Sequence, residues 1–279
     1  MNNQEIAFFN EHGFAGLFTL LTEEEMKLVY CEILKGINIL KFFTNKKYRV
    51  YEKRNRHLDL TLISRLCLHF AIVERVSKIL STDDLTLWHS NLFFAMLGNG
   101  ISRHQDVHHG LLSDTDNHIS VHLAINKVTH ENCLSIIPGS HKLDQEDLKS
   151  KYGLEMLKSS DSGTYGVPFF RLNTPIQKYF YKILLNPGEF FIFHPRLVHT
   201  SQRNSDSLGY QQIQDTTKRF LTASSIIIGQ IPPSEWLRVG LGIRFTTPNV
   251  KVFPAAFAET QPRNDRCVLI KSIPESHSG

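Results

Sequence analysis

Apolar positions along the first 80 residues recur at helical spacing. Residues 3–12 bring Ile6 and Phe9 to one side, with Ala7 beside them, which predicts a helix. Thr22-Glu23-Glu24-Glu25 has the form of a capping box, in which the Thr hydroxyl and the third-position Glu satisfy open backbone N–H groups. That predicts a second helix running to about Leu34 and stopping near Gly36. A third apolar-periodic stretch covers 58–80.

From residue 85 the period shortens. Residues 86–97 (TLWHSNLFFAML) read as a strand, and Gly98-Asn99-Gly100 reads as a tight turn that sends 101–107 back beside it. Further strands are expected at 118–126, 133–137, 189–193 and 237–246, with Pro138-Gly139 and Asn186-Pro187-Gly188 as turns. Many short strands after a helical start predict an α+β fold: a jelly roll or related double-sheet core over 85–250, with the helices of 1–80 packed outside. Two stretches fit this pattern poorly and read as insertions. Residues 142–185 contain a polar helical piece and a Ser/Gly-rich turn. Residues 205–236 turn from polar to apolar, carry Gly209, and read as a cover over the site, as a contact between copies of the chain, or as a surface excursion.

Composition narrows the class without choosing a function. The 279 residues, 41% hydrophobic and 21% charged, suit a single catalytic domain, 1–279. A formal charge of +4 is too small to argue for nucleic acid. No apolar run approaches the roughly 20 residues that span a bilayer, and the N-terminus does not read as a secretory signal. Cys31, Cys67, Cys133 and Cys267 lie far apart with no CxxC pair, which argues against a zinc knuckle or a disulfide scaffold and favours a reducing cytoplasm.

The chemistry centres on His104-Gln105-Asp106. Residues two apart on a strand share a face, so imidazole and carboxylate aim at one spot. His199, after a strand and the break at Pro195, offers a third ligand. Two His and one carboxylate match the facial triad of non-haem Fe(II) sites, which leaves two coordination positions for a bidentate 2-oxo acid and one for O₂. A lone HxD in a chain with 14 histidines is also compatible with a surface pair on an edge strand, and the spacing alone leaves both readings standing.

Wider stretches carry a resemblance. FFNEHGFAGLFTLLTEEEM, RHQD, CLSIIPGSHK, NPGEFFIFHPRLVHTSQRNSD and LRVGLGIRFTTPNV together resemble the phytanoyl-CoA dioxygenase family, in family order from about residue 4 to 250. The resemblance implies a double-stranded β-helix and Fe(II)/2-oxoglutarate-dependent oxygenase chemistry, with His104, Asp106 and His199 as iron ligands. His194 is the competitor for the third place, but the family motif sets the ligand just before the Thr-Ser pair. The remaining histidines near the motifs, His108, His109, His118, His122 and His141, match no family role and read as solvent-facing or loop residues; His108 and His109 lie close enough to the HxD to line a pocket. Arg103, where the family has an aromatic residue, and the missing Gly before Cys133 leave the substrate undefined.

The distal carboxylate of 2-oxoglutarate needs a fixed guanidinium, which binds it through two parallel hydrogen bonds. The resemblance assigns this role to Arg238, in RVGLGIRF, over Arg219 and the too-close Arg203, and pairs it with Ser201. Asn91 is a further candidate contact to the 2-oxo acid. The retained Asp106 argues against halogenation, which needs that position vacated. The expected reaction oxidises an unactivated C–H bond of a small molecule, by hydroxylation first and by desaturation or ring closure as the variants, releasing succinate and CO₂. The alternatives are an inactive binding protein of the same fold and a cupin-like metal enzyme that uses no 2-oxoglutarate. Lys46-Lys47-Tyr48-Arg49 with Lys53, Arg54 and Arg56 reads either as a solvated face or as a landing site for an anionic or carrier-tethered substrate.

Overall fold

A computed structural model describes residues 1–35, 37, 52–96, 101–108, 110–130, 132–157, 167–172, 177–201, 237–253 and 267–271. The expected turn at Gly98–Gly100, the 205–236 insertion, His109, Arg203, Arg219 and Lys46–Arg49 lie outside these residues.

Helix α1 (Asn3–His12) starts on a full capping box: the Asn2 side chain accepts from the Glu5 N–H while Glu5 accepts from the Asn2 N–H. It stops at Gly13, whose left-handed φ of 79° a glycine adopts without penalty. Strand β1 (Phe14–Thr19) leads to α2 (Glu23–Lys35), where Glu25 and Thr22 make the reciprocal bonds expected from sequence. The 58–80 stretch is two helices, α3 (Thr61–Cys67) and α4 (Phe70–Leu80). They part because His69 is extended, and its ring caps the second helix by accepting from the Ala71 N–H.

Strands β2 (Leu85–Met96), β3 (His118–Ala124), β8 (Glu189–Phe193) and β10 (Leu237–Thr246) join β1 and β11 (Val268–Ile270) in one antiparallel sheet, ordered β1-β8-β3-β10-β2-β11. A smaller sheet, β7-β4-β9, comprises Tyr181–Ile183, Leu134–Ile136 and His199–Thr200. The 142–185 insertion begins with α5 (Gln145–Tyr152), capped by Asp144, and holds the hairpin β5 (Leu154–Met156) and β6 (Phe170–Leu172). Burial of apolar faces, worth about 25 cal/mol per Å² removed from water, holds these layers together. One cluster binds the N-terminal helices to the outer face of the large sheet, through Met26, Ile63, Ile72, Leu123, Leu241 and Phe245 among others. A second, including Ile136, Ile183, Phe191 and Leu197, joins the two sheets. The whole is a jelly-roll core with helices outside, as the pattern predicted.

One strand expectation fails. Residues 101–107 are not the returning partner of β2, whose neighbours are β10 and β11. The HxD segment instead lies in irregular backbone, with single bridges from His104 to His199 and to Phe169. Its amides find partners there: Gln105 N donates to Pro168 O, and Asp106 N to Pro195 O at 2.7 Å. Asn91 therefore sits on a strand paired with β10, opposite Gly242, rather than beside the HxD segment.

Candidate metal centre and co-substrate pocket

Strand β3 explains how the sheet makes a site. Its seven residues, HISVHLA, are all buried. Ile119, Val121 and Leu123 enter the helix-side core, and the alternate positions Ser120 and His122 face a cavity of about 340 Å³ between the sheets. Strand β10 repeats the device. Val239, Leu241, Ile243 and Phe245 fill the core, leaving Arg238, Gly240, Gly242 and Arg244 on the other face. The glycines leave room: a Cβ on Gly240 would stand 2.7 Å from His122 Cε1, and one on Gly242 2.6 Å from Phe93 Cε2.

His104, Asp106 and His199 meet in this cavity, all buried, with one donor atom of each within 4.8 Å of the others. Asp106 Oδ1 lies 3.7 Å from His104 Nε2 and 3.8 Å from His199 Nε2. Each imidazole turns its other nitrogen to a backbone carbonyl: His104 Nδ1 to Ser102 O at 2.7 Å, His199 Nδ1 to Leu197 O at 2.9 Å. Such bonds place the proton on Nδ1 and leave the Nε2 lone pair for a metal. Phe169 stacks on the His104 ring, and Phe193 packs edge-on against His199. Burial, then the His199 imidazole, pushes His104 down to about 3, so it stays a neutral ligand at physiological pH. Burial alone would raise the Asp106 carboxyl, but Arg244 and the nearby imidazoles hold it well below the usual carboxylate range. Two imidazoles whose Nε2 atoms converge on one carboxylate, all three buried, fit a divalent first-row metal. His194 belongs elsewhere: its ring packs 5.1 Å from His141 and its Nδ1 accepts from Arg196 N.

Arg238 is 3% exposed and lines the same cavity as Ser201 and Asn91. Its Nη1 donates to Asn132 O, its Nε donates to no described residue, and burial lowers it to about 10, still charged at neutral pH. A buried guanidinium with spare donors fits a carboxylate ligand. Ser201 Oγ accepts from Ile101 N at 3.0 Å, which leaves its hydroxyl proton to donate. Asn91 Oδ1 is buried and accepts from no described residue.

Several expectations change here. His118 and His122 are buried strand residues rather than solvent-facing ones, His108 lines the cavity as its closeness to the HxD suggested, and only His141 among the four described is partly exposed. Arg56 is committed to Glu52 and Asp59, whereas Lys53 and Arg54 line the cavity. Sequence reasoning missed Arg244, which donates to Asp106 Oδ2 at 2.9 Å. The signal was present, since a residue six after Arg238 on a strand shares its face.

The buried histidines make stability pH-dependent. Burial first of all lowers His118 to about 4 and both His122 and His194 to about 3. Each ring stays neutral in the folded chain but takes a proton in the unfolded chain below about pH 6.5, so stability is full above that pH and lost as pH falls, by about 1.4 kcal/mol per pH unit per ring. The melting temperature of the metal-free protein is expected to drop steadily from pH 7 to pH 5. A flat profile would contradict the neutral, buried state of these rings.

The model of the family described as phytanoyl-CoA dioxygenase matches residues 9–207. The chain belongs to the phytanoyl-CoA dioxygenase family. It is therefore a non-haem oxygenase that uses Fe(II) and 2-oxoglutarate. Both arginines of β10 lie beyond the matched stretch of this family member. Similar solved structures include the non-haem monooxygenase ThoJ in its apo form, 20% identical with a TM-score of 0.60 over 88% of this chain and 78% of that one. The epimerase SnoN in complex with Fe³⁺, α-ketoglutarate and nogalamycin RO is 13% identical, with a TM-score of 0.59 over 92% and 88%. CytC3 with Fe(II) and α-ketoglutarate is 21% identical, with a TM-score of 0.56 over 91% and 80%. At such identities the likeness shows the fold. No curated protein sequence matched the chain significantly. No helix among the described residues is long and apolar enough to cross a membrane.

Proposed function

We propose that this oxygenase hydroxylates an unactivated C–H bond of a small anionic molecule, with iron on His104, Asp106 and His199 and 2-oxoglutarate on Arg238 and Ser201. The observation that carries the reading is the buried His-Asp-His cluster sharing one cavity with a buried, still-charged arginine. Iron supplies O₂ activation, coupled to conversion of 2-oxoglutarate into succinate and CO₂. The chain's part is binding, orientation and exclusion of water. Arg238 and Ser201 supply donors for the far carboxylate, and Asn91 extends the same wall. Phe169, Phe193, Leu134 and Val167 line the cavity with apolar surface, which strengthens every charged contact inside it. The carboxylate ligand Asp106 occupies the position a halide would need, and this disfavours halogenation.

The charge of the cavity supports an anionic substrate. The described lining has four cations, Lys53, Arg54, Arg238 and Arg244, against one carboxylate, Asp106. A divalent metal and a doubly charged co-substrate cancel, so cations still outnumber carboxylates among the described lining residues of the loaded site. Lys53 and Arg54 come from the short segment before Asn55, which Arg54 joins to β2 through its bridge with Asn91.

Succinate release that requires both Fe(II) and 2-oxoglutarate tests the activity. A binding protein of the same fold would release none, and a metal enzyme of another kind would not need the 2-oxo acid. In a screen of carboxylate, phosphate and uncharged candidates, the anionic ones are expected to stimulate release. Lys53→Ala and Arg54→Ala are each expected to raise the KM for such a substrate about tenfold, the loss of one partly exposed charge-assisted contact. Release without substrate should stay at its basal rate in both. Stimulation by uncharged compounds alone would contradict the anionic assignment.

A further inference from the structure

The iron site as read above needs Asp106 to donate one oxygen and no more, because a second oxygen on the metal would close a position needed for co-substrate or O₂. Carboxylates bind metals through one oxygen or two, so something must choose. The second oxygen is fully engaged. Asp106 Oδ2 accepts from Arg244 Nη2 at 2.9 Å and from Ser120 Oγ at 2.9 Å, while Oδ1 alone faces the two imidazole Nε2 atoms.

The two donors are delivered as a unit. Arg244 on β10 and Ser120 on β3 are direct cross-strand partners, so the sheet register sets their spacing. Arg244 is flanked on its other side by His89 of β2 and is 8% exposed. Its role differs from that of Arg238. The two arginines share one face of β10 but stand six residues apart, about 20 Å along an extended strand, with Gly240 and Gly242 between them. One strand thus brings a guanidinium to each end of the cavity, and only Arg244 bonds to a ligand carboxylate.

We propose that Arg244, assisted by Ser120, is a positioning residue that holds Asp106 as a one-oxygen metal ligand. The proposal rests on the metal reading given above. The guanidinium draws charge from the carboxylate as well as orienting it. Its loss lets Oδ2 turn toward the metal and makes the carboxylate a stronger donor.

Cobalt(II) tests this without turnover, because its visible absorption reports the number and kind of ligands. The purified full-length protein, its Arg244→Gln, Arg244→Lys and Ser120→Ala variants would be titrated with Co(II) alone. Arg244→Gln is expected to change the band positions and intensity. Arg244→Lys should lie between it and the wild type. Ser120→Ala, which leaves no charge buried alone, should shift the spectrum less but in the same direction, and it decides the matter if Arg244→Gln does not fold. With Fe(II), Arg244→Gln should lower the turnover number on the order of 10–100-fold while the half-saturating 2-oxoglutarate concentration stays within about twofold. A wild-type spectrum in both Arg244→Gln and Ser120→Ala would overturn the proposal, as would a loss seen only in 2-oxoglutarate half-saturation, which would make Arg244 a co-substrate contact. A wild-type protein that binds no Co(II) would instead overturn the metal reading itself.

Discussion

Asp106→Ala is expected to abolish Fe(II)-dependent succinate release and also to destabilise the metal-free protein. The two losses have separate causes. The first is removal of the only carboxylate in the His-Asp-His cluster. The second is what remains: Arg244, buried and bonded to Asp106 at 2.9 Å, loses its counter-charge. Breaking a buried ion pair from one side costs about 3–5 kcal/mol, whereas replacing both partners by apolar groups is often neutral. Denaturant melts should therefore show a large loss in Asp106→Ala and substantial recovery in Asp106→Ala/Arg244→Met, with activity absent from both. Equal stability in Asp106→Ala and wild type would mean that the Arg244 pair contributes nothing to the fold.

The second large effect is expected at Arg238. Leaving the far carboxylate of 2-oxoglutarate in a buried pocket without its cation costs about 2–5 kcal/mol, a rise of roughly 30- to 4,000-fold in the half-saturating concentration. Arg219→Ala should change it little. Arg238→Lys should recover only part of the loss, because an ammonium cannot form two parallel hydrogen bonds. Steady-state titration of 2-oxoglutarate in the three variants measures this. Loss in Arg219→Ala with little change in Arg238→Ala would move the co-substrate anchor to the other arginine.

Much of this geometry was legible in the chain. The helix cap at Thr22, the strand at 189–193 and the strand at 237–246 follow from local chemistry and period, and local chemistry is printed in the sequence. The HxD pair with His199 was legible through motif context. The failures share one physical origin, which is that a strand's polar face need not meet water. His118, Ser120 and His122 alternate with apolar residues as in a half-exposed strand, so the histidines read as solvent-facing. In the fold, that face is closed over by the second sheet and lines the cavity. Arg244 is hidden for the same reason, since its partner Asp106 is 138 positions away in sequence and nothing local marks the pair. The turn signal before residues 101–107 gives them the look of a hairpin strand. Their actual partners, His199 and Phe169, come from distant parts of the chain.

His104, Asp106 and His199 together are expected to hold the iron on which 2-oxoglutarate is consumed. Anaerobic titration with Fe(II) and 2-oxoglutarate, followed by the iron-to-2-oxo-acid charge-transfer absorption, tests it most directly. The band is expected in the wild type and in His194→Ala, and its loss is expected in His104→Ala, Asp106→Ala and His199→Ala. A band that survives in His199→Ala and disappears in His194→Ala would contradict it.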